Sequence, residues 1–255
     1  MKRINLNADM GESFGVYSIA DDAALMDLID SANIACGFHA GDPWVMQQSL
    51  AMACAKGVEV GAHPGFPDLQ GFGRREMYIA PHELESMIAY QIAALMGMAI
   101  REGVKVAYVK PHGALNNMAC RDKKLAQAIV SAILSMQSDL GLLAPACSRL
   151  YQAGKQAGLD VYSEIFIDRH YAEDGQLLPR SRKDAVIREP HVAVRRALSM
   201  LETGTIRPLE SNTFLKTEIH SLCLHGDHPE AYETAKMITA LLKEQCWRRC
   251  ILKDM

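Results

Sequence analysis

Val106-Ala107-Tyr108-Val109-Lys110-Pro111-His112 is a short apolar run, read as a strand, that stops on a lysine and a histidine. The same pattern recurs along the chain. Ile4-Asn5-Leu6-Asn7-Ala8 leads into Asp9-Met10-Gly11-Glu12, Ala32–Phe38 leads into His39 with Asp42 close behind, and Val58–Ala62 leads into His63. Val161–Ile167 carries Glu164 inside it and ends on Asp168-Arg169, and Ser221–Leu224 ends on His225-Gly226-Asp227. In a parallel α/β barrel all C-terminal strand ends open on one face, where active sites sit. Acids, imidazoles and bases remote in sequence would then share one pocket. That pattern points to an enzyme of proton-transfer chemistry.

Between the strands, helical stretches are predicted from Asp21 through Ile29, from Pro43 to about Lys56 with Gly57 at its end, and from Pro81 to about Glu102. Others cover roughly 121–138, 147–157, 189–203 and 229–245. Strand–helix alternation at this spacing builds βαβ units and a parallel sheet. Leu140–Ala146 adds a seventh strand, which ends on no acid or base. Seven is one short of the common barrel, but an open doubly wound sheet would gather its polar strand ends at one switch point. Here they are spread over nearly the whole chain. The reading is therefore an α/β fold: a parallel, seven-stranded, TIM-barrel-like (β/α) barrel, a single catalytic domain over residues 1–255. The irregular stretches 64–80 and 168–188 follow functional-looking strand ends, where binding loops occur.

A chain of 255 residues suits one such barrel. Its formal net charge of −3 gives no reason to expect nucleic acid or an anionic membrane as partner. The start MKRINLNADMG lacks a signal-peptide core, and no run of about 18 apolar residues occurs, so no membrane and a cytoplasmic location are expected. The seven cysteines are odd in number and scattered, as reduced thiols would be. Cys246 and Cys250 lack the second pair a structural zinc needs.

Asp9 and Glu12 are two carboxylates that unlike environments can split into base and acid. His39 sits between glycines that permit close backbone approach, and Pro64-Gly65 forces a turn after His63. Lys110 and His112 lie two apart, hence on one face of a strand, where a lysine needs an acid or an anionic ligand beside it. Arg74, Arg169 and Arg180 are candidates to grip a carboxylate or phosphate. No Gly-x-x-x-x-Gly-Lys-Ser/Thr phosphate loop is present. Cys36 reads as an inert, buried thiol.

The blocks Leu6–Ser13, Ser31–Asp42, Gly61–Asp68, Phe72–Arg75, Val109–Leu115, Glu164–Arg169, Leu178–Ser181 and Cys223–Asp227 together resemble the LamB/YcsF family, in order, from residue 4 to about 245. Ile167, His170 and His228 depart from the family's usual residues, while the charged positions survive. The resemblance implies a seven-stranded barrel related to glycoside hydrolases and polysaccharide deacetylases. It also implies opening of the lactam 5-oxo-L-proline to L-glutamate with ATP, alongside two other 5-oxoprolinase subunits that would bind most of the ATP. On that reading Asp9 or Glu12, assisted by His39 or His63, activates water, and Lys110 and His112 stabilise the oxyanion. Arg74 or Arg169 holds the substrate carboxylate, with Arg180 nearby, and Glu164, Asp168, His225 and Asp227 orient the rest. Two other readings stand beside it. One is a metal-dependent deacetylase or hydrolase of carbohydrate-like substrates, with Asp9, His39 and His63 as zinc ligands. The other is a non-catalytic carrier of a small acid. Whether a metal is bound stays open.

Overall fold

The computed structural model describes residues 2–19, 21–137, 139–225 and 230–255. Seven parallel strands form the centre: β1 (Arg3–Met10), β2 (Ser31–Ala35), β3 (Glu59–His63), β4 (Val106–Val109), β5 (Gly141–Pro145), β6 (Val161–Phe166) and β7 (Ser221–Leu224). Each pairs with the next in chain order, and β7 returns to β1 through Asn5↔Ser221 and Asn7↔Cys223, so the sheet closes into a barrel. A two-residue strand, Arg248–Arg249, adds to the start of β1.

Helices α1 (Asp22–Met26), α2 (Pro43–Lys56), α3 (Pro81–Arg101), α4 (Gly113–Ala119), α5 (Lys123–Ser135), α6 (Arg149–Gln156), α7 (Pro190–Thr203) and α8 (Ala231–Glu244) lie between the strands. Local chemistry sets their limits. The Asp42 carboxylate accepts from the backbone N–H groups of Trp44 and Val45, Pro43 occupies the first turn of α2, and Gly57 ends it in the left-handed region at φ 65°. Along α3, Leu84, Ile88, Ile92, Leu95 and Ala99 recur at helical spacing and are all buried.

The period of two along β1 divides apolar from polar. Ile4, Leu6, Ala8 and Met10 belong to the hydrophobic core that the strands share with the helices. Asn5, Asn7 and Asp9 alternate with them and are buried too. These inward residues join a hydrogen-bonded chain through the barrel. Ser31 donates to Glu59 at 2.9 Å, Asn5 to Ser31 at 2.8 Å, Ser221 to Asn5 at 2.6 Å and Asn7 to Ser221 at 2.7 Å. Asn33 then donates to Asn7 at 2.8 Å, and the Tyr108 hydroxyl to Asn33 at 2.7 Å. Buried polar groups are tolerated when paired in this way, and such a network rigidifies what it supports. Gly61 makes room for it: a Cβ there would lie 2.2 Å from the Tyr108 ring. The Glu59 carboxylate, at the far end, accepts from the Leu252 N–H at 2.9 Å.

Three differences from the sequence reading matter for the site. β2 ends at Ala35 rather than Phe38, so His39 is delivered by a loop turning on Gly37 and Gly41, both at positive φ. α4 was not foreseen, because Gly113-Ala114-Leu115-Asn116-Asn117-Met118-Ala119 is too short for a clear apolar period. An antiparallel pair, Thr205–Ile206 with Leu215–Lys216, was not foreseen either; its strands are two residues long.

Candidate functional site

A cleft of about 340 Å³ opens at the C-terminal end of the strands. Asp9, His63, Lys110, His112 and His225 line its floor, and Arg74, Arg169 and Arg180 line its sides. Strands β1, β3, β4 and β7 thus bring together residues more than 200 positions apart, as the strand-end pattern required.

Lys110 is at the centre and only 2% exposed. Its Nζ donates to Asp9 Oδ1 at 2.9 Å, Asn7 Oδ1 at 3.0 Å and Cys223 Sγ at 3.0 Å, and lies 3.3 Å from Glu164 Oε2. Burial opposes its charge, but Asp9, Cys223 and Glu164 outweigh burial and hold the lysine well above its ordinary range. Burial likewise opposes the charge on Asp9, and His63 and Lys110 outweigh it, holding that carboxyl well below its ordinary range. For Glu164, burial wins over Lys110 and the pKa rises. The floor therefore carries an Asp9 carboxylate and a Lys110 ammonium, with Glu164 the more easily protonated of the two carboxyls. Glu164 is fully buried and outside the cleft lining, so it touches Lys110 rather than a ligand.

Four side chains meet beside this pair: His63 at the end of β3, and Glu12, His39 and His112 from the segments that follow β1, β2 and β4. His63 Nδ1 lies 2.6 Å from the Lys110 carbonyl, and His112 Nε2 lies 2.8 Å from the Phe72 carbonyl. His63 Nε2 faces His112 Nδ1 at 2.9 Å. Glu12 Oε1 is 3.4 Å from both His39 Nε2 and His112 Nδ1. The His39 and His112 rings stack with centroids 3.8 Å apart. Burial first, and then the other imidazoles, push the pKa of His39 and of His112 well below the usual histidine value.

Just beyond β6 and β7, Asp168 Oδ2 lies 2.8 Å from His225 Nδ1, and the His225 ring stacks on Phe166 with centroids 5.4 Å apart. Burial lowers the pKa of His225 more than Asp168 raises it, so the imidazole is neutral at neutral pH. A neutral ring that donates Nδ1–H to a carboxylate carries its lone pair on Nε2. Burial works against the charge on Asp168, but His225, Arg169 and Arg180 keep its carboxyl below the ordinary value.

Not every candidate is placed to meet a ligand. The Arg169 guanidinium donates to the Leu178 and Ala185 carbonyls, so it braces the loop 168–188 even though it borders the cleft. Burial and Arg180 push its pKa down to about 10. Arg74 and Arg180 line the cleft, and Arg74 packs over Phe72 at 4.8 Å. Asp227, with His228, lies outside the described residues. All seven cysteines are free, and burial pushes Cys36 up to about 12, as an inert thiol requires. Sequence reasoning missed Asn7, Asn33 and Cys223, which hold Lys110 and Asp9. The signal was available, since Asn7 shares strand parity with Asp9. It also missed the Phe72 carbonyl, which no side-chain pattern announces.

Among the described residues, no helix is long and apolar enough to cross a membrane. A protein from Azoarcus sp. (strain BH72), named as one of the subunits of 5-oxoprolinase, is 48% identical over 255 residues, covering 100% of this chain and 99% of that protein. The crystal structure of a lactam utilization protein from Thermus thermophilus superposes with a TM-score of 0.90 at 40% identity, covering 97% of this chain and 99% of that one. The catalytic domain of a peptidoglycan N-acetylglucosamine deacetylase from Eubacterium rectale shares the barrel alone, at a TM-score of 0.50 and 10% identity over 98% of this chain and 88% of that one. The LamB/YcsF family profile matches residues 4–255, and the chain belongs to that family.

Proposed function

We propose that this chain opens the lactam ring of 5-oxo-L-proline to give L-glutamate, after ATP-dependent activation of the ring by two partner subunits. The observation that carries the reading is one cleft holding guanidinium groups beside two acid–base pairs, the buried Asp9–Lys110 and the part-buried Asp168–His225. The name borne by the Azoarcus relative and the description of the Thermus protein support it.

Arg74 and Arg180 take the substrate carboxylate, a match of planar fork to planar anion. Lys110 presents its charge to the ring oxygen. Of its three acceptors the Cys223 thiol is the weakest, so that N–H is the one a substrate oxygen displaces. His225 Nε2 takes a proton from water as the water oxygen bonds to the ring carbonyl carbon, and Asp168 stabilises the imidazolium. The carbon–nitrogen bond then breaks, His225 returns the proton to the departing nitrogen, and the phosphoryl group that activated the ring oxygen leaves as inorganic phosphate when a second water hydrolyses the resulting acyl phosphate. Asp9 is held too acidic to be an effective base and serves to fix Lys110. An unstrained five-membered lactam is a poor electrophile, so activation comes first. The chain lacks the common phosphate loop, which supports leaving nucleotide binding mainly to the partners.

The test is glutamate release by this chain alone, by the partners alone, and by all three with ATP. Turnover is expected only from the complete set. Full ATP-coupled activity from the isolated chain, or from the partners without it, overturns the proposal.

Gly73 offers a second check. It sits at φ +62°, and a Cβ there would lie 2.6 Å from His39 Cβ and 2.8 Å from His112 Cδ2. Gly73→Ala is expected to keep the fold and displace both rings, with turnover falling about 10²-fold, the scale of a misplacement of about 1 Å. Unchanged turnover with a normal melting curve would show that these rings need not be held where they are.

A further inference from the structure

The structure assigns a binding site for one divalent transition-metal ion of the zinc class to Glu12, His39, His63 and His112. Their donor atoms lie within 4.8 Å of one another, and all four residues are buried.

The tautomers carry the argument. A carbonyl oxygen only accepts, so His63 Nδ1 must donate to Lys110 O, and His112 Nε2 must donate to Phe72 O. In neutral rings this leaves the lone pairs of His63 Nε2 and His112 Nδ1 facing each other at 2.9 Å. Such a contact needs a cation between or beside the two nitrogens. His39 supplies an independent observation. It is completely buried, and neither ring nitrogen makes a hydrogen bond among the described residues, although Nε2 faces Glu12 Oε1 at 3.4 Å. A buried imidazole that makes no hydrogen bond is costly unless something else takes its lone pair.

The dimensions fit. Zinc–nitrogen and zinc–oxygen bonds of about 2.0–2.1 Å place tetrahedral ligands about 3.3–3.4 Å apart. The two Glu12 contacts are 3.4 Å, and the His63–His112 contact needs to open by about half an ångström. The carbonyls of Lys110 and Phe72 hold the second nitrogens of His63 and His112, the usual outer support of a ligating imidazole. Asp9 borders the site, with Oδ2 at 3.4 Å from His63 Nε2, but its Oδ1 is committed to Lys110 and Asn33. The fourth ligand is therefore Glu12, and not the Asp9 that sequence alone suggested. Three imidazoles with one carboxylate suit zinc, and cobalt(II) reports on the same geometry. With four protein donors the ion fixes the imidazoles at the cleft wall.

The inference is independent of the lactam reading, because its test contains no lactam and no partner. The full-length chain, stripped with a chelator that is then removed, is titrated with Co²⁺ and afterwards with Zn²⁺. One equivalent of Co²⁺ is expected, with the visible absorption of tetrahedral cobalt, and one equivalent of Zn²⁺ should displace it. His39→Gln and Glu12→Gln, checked for folding by circular dichroism, should each weaken binding at least about tenfold, the lower end of what outer-shell changes alone produce. Cys223→Ser, from the neighbouring group of Asp9, Cys223 and His225, should bind as the parent does. Absence of stoichiometric binding by the parent chain overturns the inference. So does a cobalt spectrum lost in Cys223→Ser and kept in His39→Gln.

Discussion

Lys110→Met is expected to cost both activity and stability, and the two losses should be separable. Removing the ammonium deletes the charge presented to the ring oxygen, and one well-placed donor of this kind accounts for about 10²–10³-fold in turnover. It also leaves the Asp9 carboxylate buried, at 6% exposure, without its closest cation. Breaking one side of a buried pair costs about 3–5 kcal/mol, because the remaining charge has no partner. The sign with pH follows. In the parent, Asp9 is held below its ordinary pKa, so its contribution is present at neutral pH and lost as pH falls through that depressed value. Without Lys110 only His63 and the Asn33 hydrogen bond still answer the burial that opposes its charge, so the deficit is full at neutral pH and shrinks as acid protonates the carboxyl. Asp9→Asn added to Lys110→Met removes the orphaned charge; the double variant should regain most of the lost melting temperature and none of the turnover. Thermal melts between acid and neutral pH, with glutamate release in the complete system, read all of this. Turnover within a few fold of the parent in Lys110→Met would remove the lysine from the chemistry.

The architecture was legible because it rests on two coarse signals. Apolar runs ending on charged residues mark strand ends, and the Pro43 and Pro81 starts mark helices; both survive errors of two or three residues. Lys110 was legible for a sharper reason, since a lysine at the end of an apolar strand must find an anion, and it finds Asp9 and Glu164. What sequence could not show is which partner each group takes. Asp9 and Glu12 look alike, three residues apart, yet β1 carries Asp9 to Lys110 while the turn at Gly11 carries Glu12 to His39 and His112. Asp227 lies outside the described residues, and among the described ones His225 meets Asp168, just beyond β6 and far from it in sequence. Arg169 offered the charge for a substrate carboxylate, and its hydrogen bonds to two carbonyls make it a loop brace. Backbone acceptors such as Phe72 O and Lys110 O decide the histidine tautomers, and no sequence pattern reports them.

Asp168→Asn tests the assignment of His225 as the base. The carboxylate lies 2.8 Å from His225 Nδ1 and accepts its proton, which leaves Nε2 able to take one from water. An amide can instead donate to Nδ1, which moves the ring proton to Nε2 and removes the base while preserving the shape. General-base catalysis by a positioned side chain contributes about 10²–10⁴-fold, and a loss of that size in turnover is expected. The pH profile separates this from a loosened fold. Burial already holds His225 below the ordinary histidine pKa, and Asp168 is what partly restores it. In the parent, activity should therefore be full at neutral pH and fall through an acid limb as His225 protonates. Without the Asp168 charge that limb should move to lower pH while the plateau drops. A structural defect would lower the plateau and leave the limb in place. His225→Gln should lose the same turnover and, in the pH range of the parent's limb, show no histidine limb at all. A His225→Gln enzyme that keeps both its rate and its acid limb would return the role of base to Glu12 or to the imidazoles beside it.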